Sequence, residues 1–178
     1  MATGPTYRVD YRRKRESKTN FKTRVETLKS GIPRLVIRPS NKHILVQLVK
    51  YSENGDLIQA TAHSKDLTKQ GWTHSTGNLC AAYLTGFACG LKGKQKKMEE
   101  AILDLGMNTS VKGSRIYAAL KGALDSGLKL NHDAEMLPSE ERVSGAHIAS
   151  YVKKSKDIHS DLTKIKEKIQ NDVGKQKD

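Results

Sequence analysis

The chain has 178 residues, 36% hydrophobic and 29% charged, and its 32 basic side chains against 19 acidic ones leave a net charge of +13. A mean hydropathy of −0.63 and a pI near 9.7 argue for one compact domain with polar extensions, against two domains or a deeply buried enzyme core. The charge selects a polyanionic partner, nucleic acid before membrane; no apolar run approaches the roughly 20 residues of a membrane span, and the N-terminus lacks the apolar core of a secretion signal.

The first two dozen residues carry the clearest signal. Arg8, Arg12, Arg13, Lys14, Arg15, Lys18, Lys22 and Arg24 face only Asp10 and Glu16. So little apolar surface cannot offset the entropy of ordering, so the arm is expected to be extended and mobile until a polyanion orders it. Neutralised phosphates release their condensed counterions, which drives that step.

Asn20 to Ser30 predicts a short helix with Phe21, Val25 and Leu28 on one side, closed by Gly31 and Pro33. Two strand-like runs follow, Arg34–Arg38 and His43–Val49, joined by the hairpin turn Pro39-Ser40-Asn41-Lys42. Asn54-Gly55-Asp56 is a second turn, and Leu57 to His63 a third antiparallel strand. Ser75 to Leu91 reads as a helix with Leu79, Tyr83 and Phe87 at i, i+4 and i+8. Its small residues, Ala81, Ala82, Gly86, Ala88 and Gly90, allow a close approach to a sheet, and Gly93 with the following lysines ends it. Ala101–Leu105 suggests a buried strand before Gly106, and Ser114–Leu124 a second helix with Gly127 beyond its end.

The order implies an α/β fold: an antiparallel strand meander, then helix, strand and helix, in a single two-layer domain. Residues 1–24 form the basic arm, 25–130 the body, and 131–178 a loop with an amphipathic tail. The stretch Leu130–Ser150 is loop-like. Beyond Tyr151, Ile158, Leu162, Ile165 and Ile169 recur at helical spacing, a face suited to the body, another protein or RNA.

Basic side chains gather on the arm, around the first hairpin (Arg34, Arg38, Lys42, His43) and at the helix end (Lys94, Lys96, Lys97). Brought together by folding, they would make one continuous surface. With an aromatic share of 5%, platforms for unstacked bases are few, which points to structured RNA read through phosphates, 2′-hydroxyls and shape. Gly77-Asn78 and Lys112-Gly113-Ser114-Arg115 each precede a helix, where free backbone amides accept either a cap or a phosphate. For Lys112 and Arg115 both readings stand; for Asn78 capping leads.

Enzymatic readings find little. Cys80 and Cys89 are nine residues apart, on opposite faces of a helix, so they are core thiols of a reducing compartment and no metal pair. Gly90–Lys94 lacks the leading glycine of a phosphate-binding loop, since Ala88 stands there. Asp56, Asp66, Asp104 and Asp125 are the carboxylates of a conceivable two-metal nuclease, but nothing in the sequence converges them. They read as solvated or capping groups. No cofactor and no small-molecule substrate is implied.

The stretch from Gly31 to Ile44, with its Arg-Leu-Val-Ile-Arg-Pro-Ser-Asn-Lys-His core, resembles the strand-turn-strand signature of the universal large-subunit ribosomal protein eighteen family. The resemblance continues through Thr76–Tyr83, Ala101–Gly106, Gly113–Gly122 and Pro138–Val143, then Gly145, His147, Ile148 and Tyr151 in the archaeal-type pattern. It runs from about Tyr7 to Tyr151 in order. The short C-terminus is also archaeal in look. Asn131-His132-Asp133 departs from the family's usual Pro-His-Ser, and the tail after Tyr151 follows no family pattern.

The resemblance implies assembly, not catalysis: binding of 5S rRNA and its attachment to large-subunit rRNA in the central protuberance. Neighbouring large-subunit ribosomal proteins are further partners, and the location is cytoplasmic, in the large subunit. Carried onto this chain, Tyr7, Arg8, Tyr11, Arg12, Arg13, Lys14, Arg15, Lys18, Thr19 and Asn20 line the arm contacts, mostly with phosphates. Arg34, Arg38, Asn41, Lys42 and His43 touch RNA beside the hairpin, and Thr76, Gly77 and Asn78 at the helix start.

Overall fold

A computed structural model describes residues 4–152, 155 and 157–175. Parts of the predicted arm and tail segments, residues 1–3, 153, 154, 156 and 176–178, lie outside the described residues. Alternation of apolar side chains builds the first three strands, β1 (Arg34–Pro39), β2 (Ile44–Lys50) and β3 (Leu57–His63). Leu35 and Ile37 of β1, and Ile44, Val46 and Leu48 of β2, are fully buried on one face. Antiparallel pairing aligns Arg34 with Val49 and Arg38 with Leu45. β4 (Glu100–Asp104) runs parallel to β1, and β5 (Lys129–Leu130) parallel to β4, giving the sheet order β3-β2-β1-β4-β5.

Ahead of the sheet lie α1 (Arg12–Arg15) and α2 (Phe21–Lys29); Asn20 caps α2 by accepting from the Thr23 amide at 3.3 Å. After β3 come α3 (Asp66–Lys69) and α4 (Leu79–Gln95), then α5 (Arg115–Asp125) between β4 and β5. The α/β reading holds.

α4 starts and ends about one helical turn later than the periodicity suggests. Its start is set by Asn78, whose Oδ1 accepts from the Ala81 amide at 2.7 Å. Its end is not at Gly93: that glycine sits inside the helix, where an added Cβ would collide with Leu48 Cδ1. Nor do all its small residues serve the sheet. A Cβ at Gly86 would overlap the Ala119 carbonyl, and one at Gly122 the Tyr83 carbonyl, so glycines on both helices bring the α4 and α5 backbones together.

The stretch expected to be loop from Leu130 onward holds β5, a 3-10 turn at Ala134–Met136, α6 (Glu140–Ser144) and α7 (Ala146–Tyr151). Each is too short to show periodicity. Asp133, in the divergent triplet, accepts from the Glu135 amide at 3.0 Å and starts the 3-10 turn.

The tail forms α8 (Ile158–Lys175) and packs on the body: Ile158, Leu162, Ile165 and Ile169 are buried with Tyr83, Leu84 and Phe87 of α4. Each such side chain gains roughly 1.5–3 kcal/mol on burial, so the helix docks. Lys166 Nζ lies 5.3 and 5.0 Å from the Tyr83 and Phe87 ring centroids and donates to Tyr83 Oη at 2.7 Å. That hydroxyl donates to Asp125 Oδ2 at 2.6 Å. α4 is therefore buried on both sides over most of its length, with the sheet and α5 on one side and α8 on the other.

Cys80 and Cys89 face these two cores separately, both free and buried. Burial pushes their thiols up to about 11 and about 12. Neither should react with a thiol reagent at neutral pH until the chain is unfolded, when absorbance should report two thiols; rapid labelling of the native chain would contradict the packing. Gly122→Ala should lower the denaturation midpoint, by about 1–3 kcal/mol of stability, because backbone and not a flexible side chain stands where its Cβ must go.

Candidate nucleic-acid interface

The arm contains more local structure than its charge suggests. Arg12–Arg15 make one helical turn, Arg13 Nε donates to Thr19 Oγ1 at 2.8 Å, and the Tyr11 and Phe21 rings meet at 5.4 Å. Both acidic residues are engaged: Asp10 with Lys14 at 2.8 Å, Glu16 with Lys18 at 2.8 Å and Arg12 at 3.8 Å. Arg8, Arg15 and Lys22 are exposed and meet no carboxylate among the described residues.

At the end of the sheet where β1 turns into β2, several predicted residues converge. The turn is closed by Ser40, whose hydroxyl accepts from the His43 amide at 3.0 Å. Thr76 Oγ1 donates to the Lys42 carbonyl at 2.8 Å and lies 3.0 Å from His43 Nδ1. Gly77 packs on the turn so closely that a Cβ would stand 3.0 Å from the Asn41 carbonyl. Arg115, at the start of α5, donates to the carbonyls of Ser40 (3.0 Å) and Gly77 (3.1 Å). The hairpin tip and the starts of α4 and α5 are thus clamped into one unit, with Asn41 and Lys42 exposed on it. Asn78 is engaged in capping α4. Lys112 is exposed nearby in sequence, 3.5 Å from Glu135.

The arm lies along the open face of the sheet, with Arg24 on Asp56 beside the start of β1. A groove of about 550 Å³ runs between the arm and the sheet face opposite α4 and α5. Arg13, Lys18, Thr19, Asn20 and Arg24 form one wall; Arg38, Gly106, Asn108 and Ser110 lie on the other side. Arg38 is the last charged residue before the hairpin turn, and Gly106 follows β4, which runs parallel to β1. The helix-end lysines do not join them. They sit at the far end of α4, whose 17 residues span about 25 Å, so the continuous basic surface expected from sequence is split.

Arg34 requires a correction. It is 3% exposed, with its guanidinium 2.8 Å from Asp56 Oδ2 and 2.9 Å from Asp104 Oδ2, so it is a buried structural cation with no free face for RNA. Arg24 of α2 pairs with Asp56 at 2.9 Å, and Arg38 with Asp104 at 3.0 Å. The two carboxylates that sequence left scattered therefore do converge, but on three guanidinium groups instead of a metal. Asp66 and Asp125 lie elsewhere, on Lys69 and Tyr83. Among the described residues no cluster of three or more His, Cys, Asp or Glu is placed to hold a metal. Burial alone would raise the Asp104 carboxyl, but Arg38, the Gly106 amide and Arg34 together hold it below the usual carboxylate range.

Sequence reading named Asp56 and Asp104 but took them as solvated or capping groups, missing their arginine partners, and it missed the groove floor, Val36 and Gln47. One signal was available. Arg34, Val36 and Arg38 share the face of β1 opposite Leu35 and Ile37, so that face carries two fixed charges needing partners.

Comparison with known proteins gives a consistent set. A family described as ribosomal large subunit proteins 60S L5 and 50S L18 matches residues 5–97 and 90–133. The chain is 49% identical over 151 residues to large ribosomal subunit protein uL18 of Haloarcula marismortui, covering 85% of this chain and 81% of that protein. It is 47% identical over 163 residues to the uL18 of Aeropyrum pernix, with 91% and 76% covered. For the uL18 of Methanothermobacter thermautotrophicus the values are 44% over 151 residues, with 85% and 79% covered.

Replacing the buried cation tests the network. Arg34→Met removes the ion that bridges Asp56 and Asp104, leaving each carboxylate with one arginine, and should cost about 1.5–3 kcal/mol in denaturant unfolding; a loss within error would mean the bridge contributes nothing. Because the folded Asp104 value is depressed, its contribution is present above about pH 4 and disappears as pH falls through the folded value. The stability gap between wild type and Asp104→Asn should therefore narrow in acid, and a gap unchanged with pH would refute the pairing.

Proposed function

The chain belongs to the family of ribosomal large-subunit proteins 60S L5 and 50S L18, and we propose that within the large subunit it binds 5S rRNA and helps attach it to large-subunit rRNA in the central protuberance. Members of this family are structural, non-enzymatic constituents of the ribosome, and this chain is one of them in the cytoplasmic large subunit. The three relatives named above are archaeal.

One observation carries the 5S reading: the hairpin tip and the starts of α4 and α5 are locked together by Arg115 and Thr76, and the charged arm lines a groove on the open sheet face that extends to Arg38, just before that tip. A rigid tip beside a charged arm suits a folded RNA, with the tip held against its shape and the arm along its backbone. Tyr7, Arg8, Tyr11, Arg12–Arg15, Lys18 and Lys22 supply the arm contacts, and Asn41, Lys42, His43, Thr76, Gly77, Lys112 and Arg115 those of the tip. Arg24 faces Asp56 and acts by holding the arm's helix on the sheet.

Replacing Arg12, Arg13, Lys14 and Arg15 together by alanine should weaken 5S rRNA binding at least about tenfold at moderate salt. The plot of log affinity against log salt should become shallower by about 0.7–0.9 for each phosphate that the variant no longer neutralises. Unchanged affinity and slope would remove the arm from the interface.

A further inference from the structure

The groove between the arm and the open sheet face differs from the rest of the basic surface, because one of its arginines, Arg38, is held as a flat plate. Arg38 Nη1 donates to the carbonyls of Ile37 (2.9 Å) and Asp104 (2.8 Å), and Nη2 to Asp104 Oδ1 (3.0 Å). These bonds fix the guanidinium through its Nη1–Nη2 edge. Gly106, at φ +64°, lies against one face of the plate: a Cβ there would stand 2.8 Å from Cζ and 3.0 Å from each terminal nitrogen. Cζ being the nearest of the three places that Cβ above the plane, not at its rim. Any side chain at Gly106 would push the plate away. The Arg38 side chain is nonetheless 39% exposed, and it lines the groove.

A guanidinium held in one plane and partly exposed to a groove is suited to stack on a nucleobase. The neighbouring surface fits the same occupant. Val36, Val49 and Ile58 give an aliphatic floor, and Gln47, directly across from Val36, has a side-chain amide without a hydrogen-bond partner among the described residues. The volume, about 550 Å³, lies within the roughly 300–1,000 Å³ of small-ligand sites. Arg13 and Lys18 on the arm wall supply positive charge for a phosphate.

We propose that this groove takes one unpaired nucleotide of the bound RNA, its base stacked on Arg38 and its edge within reach of Gln47. The aromatic platforms that are few in the composition are supplemented here by an arginine fixed by Asp104 and Gly106. This rests on the proposed RNA-binding function but adds base contact to an interface otherwise made of backbone contacts.

The test titrates the full chain with AMP, GMP, CMP and UMP, and with ribose 5-phosphate as the baseless control, following the methyl NMR signals of Val36, Val49 and Ile58. Shifts that differ between bases and are absent with ribose 5-phosphate are expected at millimolar nucleotide. The same shifts with ribose 5-phosphate, or none with any nucleotide, would overturn the proposal. In parallel, Gln47→Trp fills the groove floor and should lower 5S rRNA affinity about tenfold, the scale of a single base stack, with the thermal midpoint retained. Undiminished affinity in that folded variant would equally overturn it. The two readings fail separately. A silent groove in a chain that still needs its arm removes only this proposal, whereas base-dependent shifts with an arm that does not matter remove only the arm's role in 5S binding.

Discussion

Arg34 is a full positive charge held at 3% exposure on one face of a sheet, and the open face is organised around neutralising it. Desolvating such an ion costs several kcal/mol, recovered only with close, well-aligned partners. Those partners come from two distant places: Asp56 in the turn before β3, and Asp104 at the end of β4. The register follows. Asp104 lies beside Val36, and a one-residue slip of β1 would drive Arg34 into the apolar layer under α4 and α5. The same carboxylates then hold two further arginines. Asp56 ties down Arg24, and with it the helix that carries the arm; Asp104 fixes the plane of Arg38. A constraint that begins as charge burial thus positions both walls of the groove.

α4 is the second organising element, and it works through small and large side chains on different sides. Its glycines admit the α5 backbone and Leu48, while Tyr83, Leu84 and Phe87 receive α8. The tail is therefore part of the body's support. It stands behind α4, just ahead of which Thr76 holds the hairpin, so the tip proposed to meet RNA is backed by two packed layers. In the proposed function a rigid tip and a locally structured arm divide the work: shape on one side, charge on the other.

How much of this could be read in advance depends on whether the cause was local. The three antiparallel strands and their turns follow from alternation and from Asn-Gly and Pro-Ser-Asn signals, and β3 matches its predicted limits. α4 was displaced because Thr76 and Gly77 are held by the Lys42 carbonyl and the Asn41 backbone, which come from the far side of the sheet in sequence. Gly145 separates α6 from α7 at φ +84°, and a Cβ there would press on Cys80 and Ile158, contacts that no window of sequence reveals. The candidate site divides in the same way. The charge of the arm and the residues of the hairpin tip were visible as types. That Arg34 is internal, and that Arg38 is a fixed plate, depends on Asp56 and Asp104 arriving from other strands and turns.

The most direct measurement is a binding titration of 5S rRNA against an unrelated structured RNA of equal length, repeated across a salt series. Shape recognition by a rigid tip predicts a clear preference for 5S rRNA that persists as salt rises and the arm's contribution declines. Equal affinities falling together with salt would contradict it, and would leave a basic protein that holds any folded RNA.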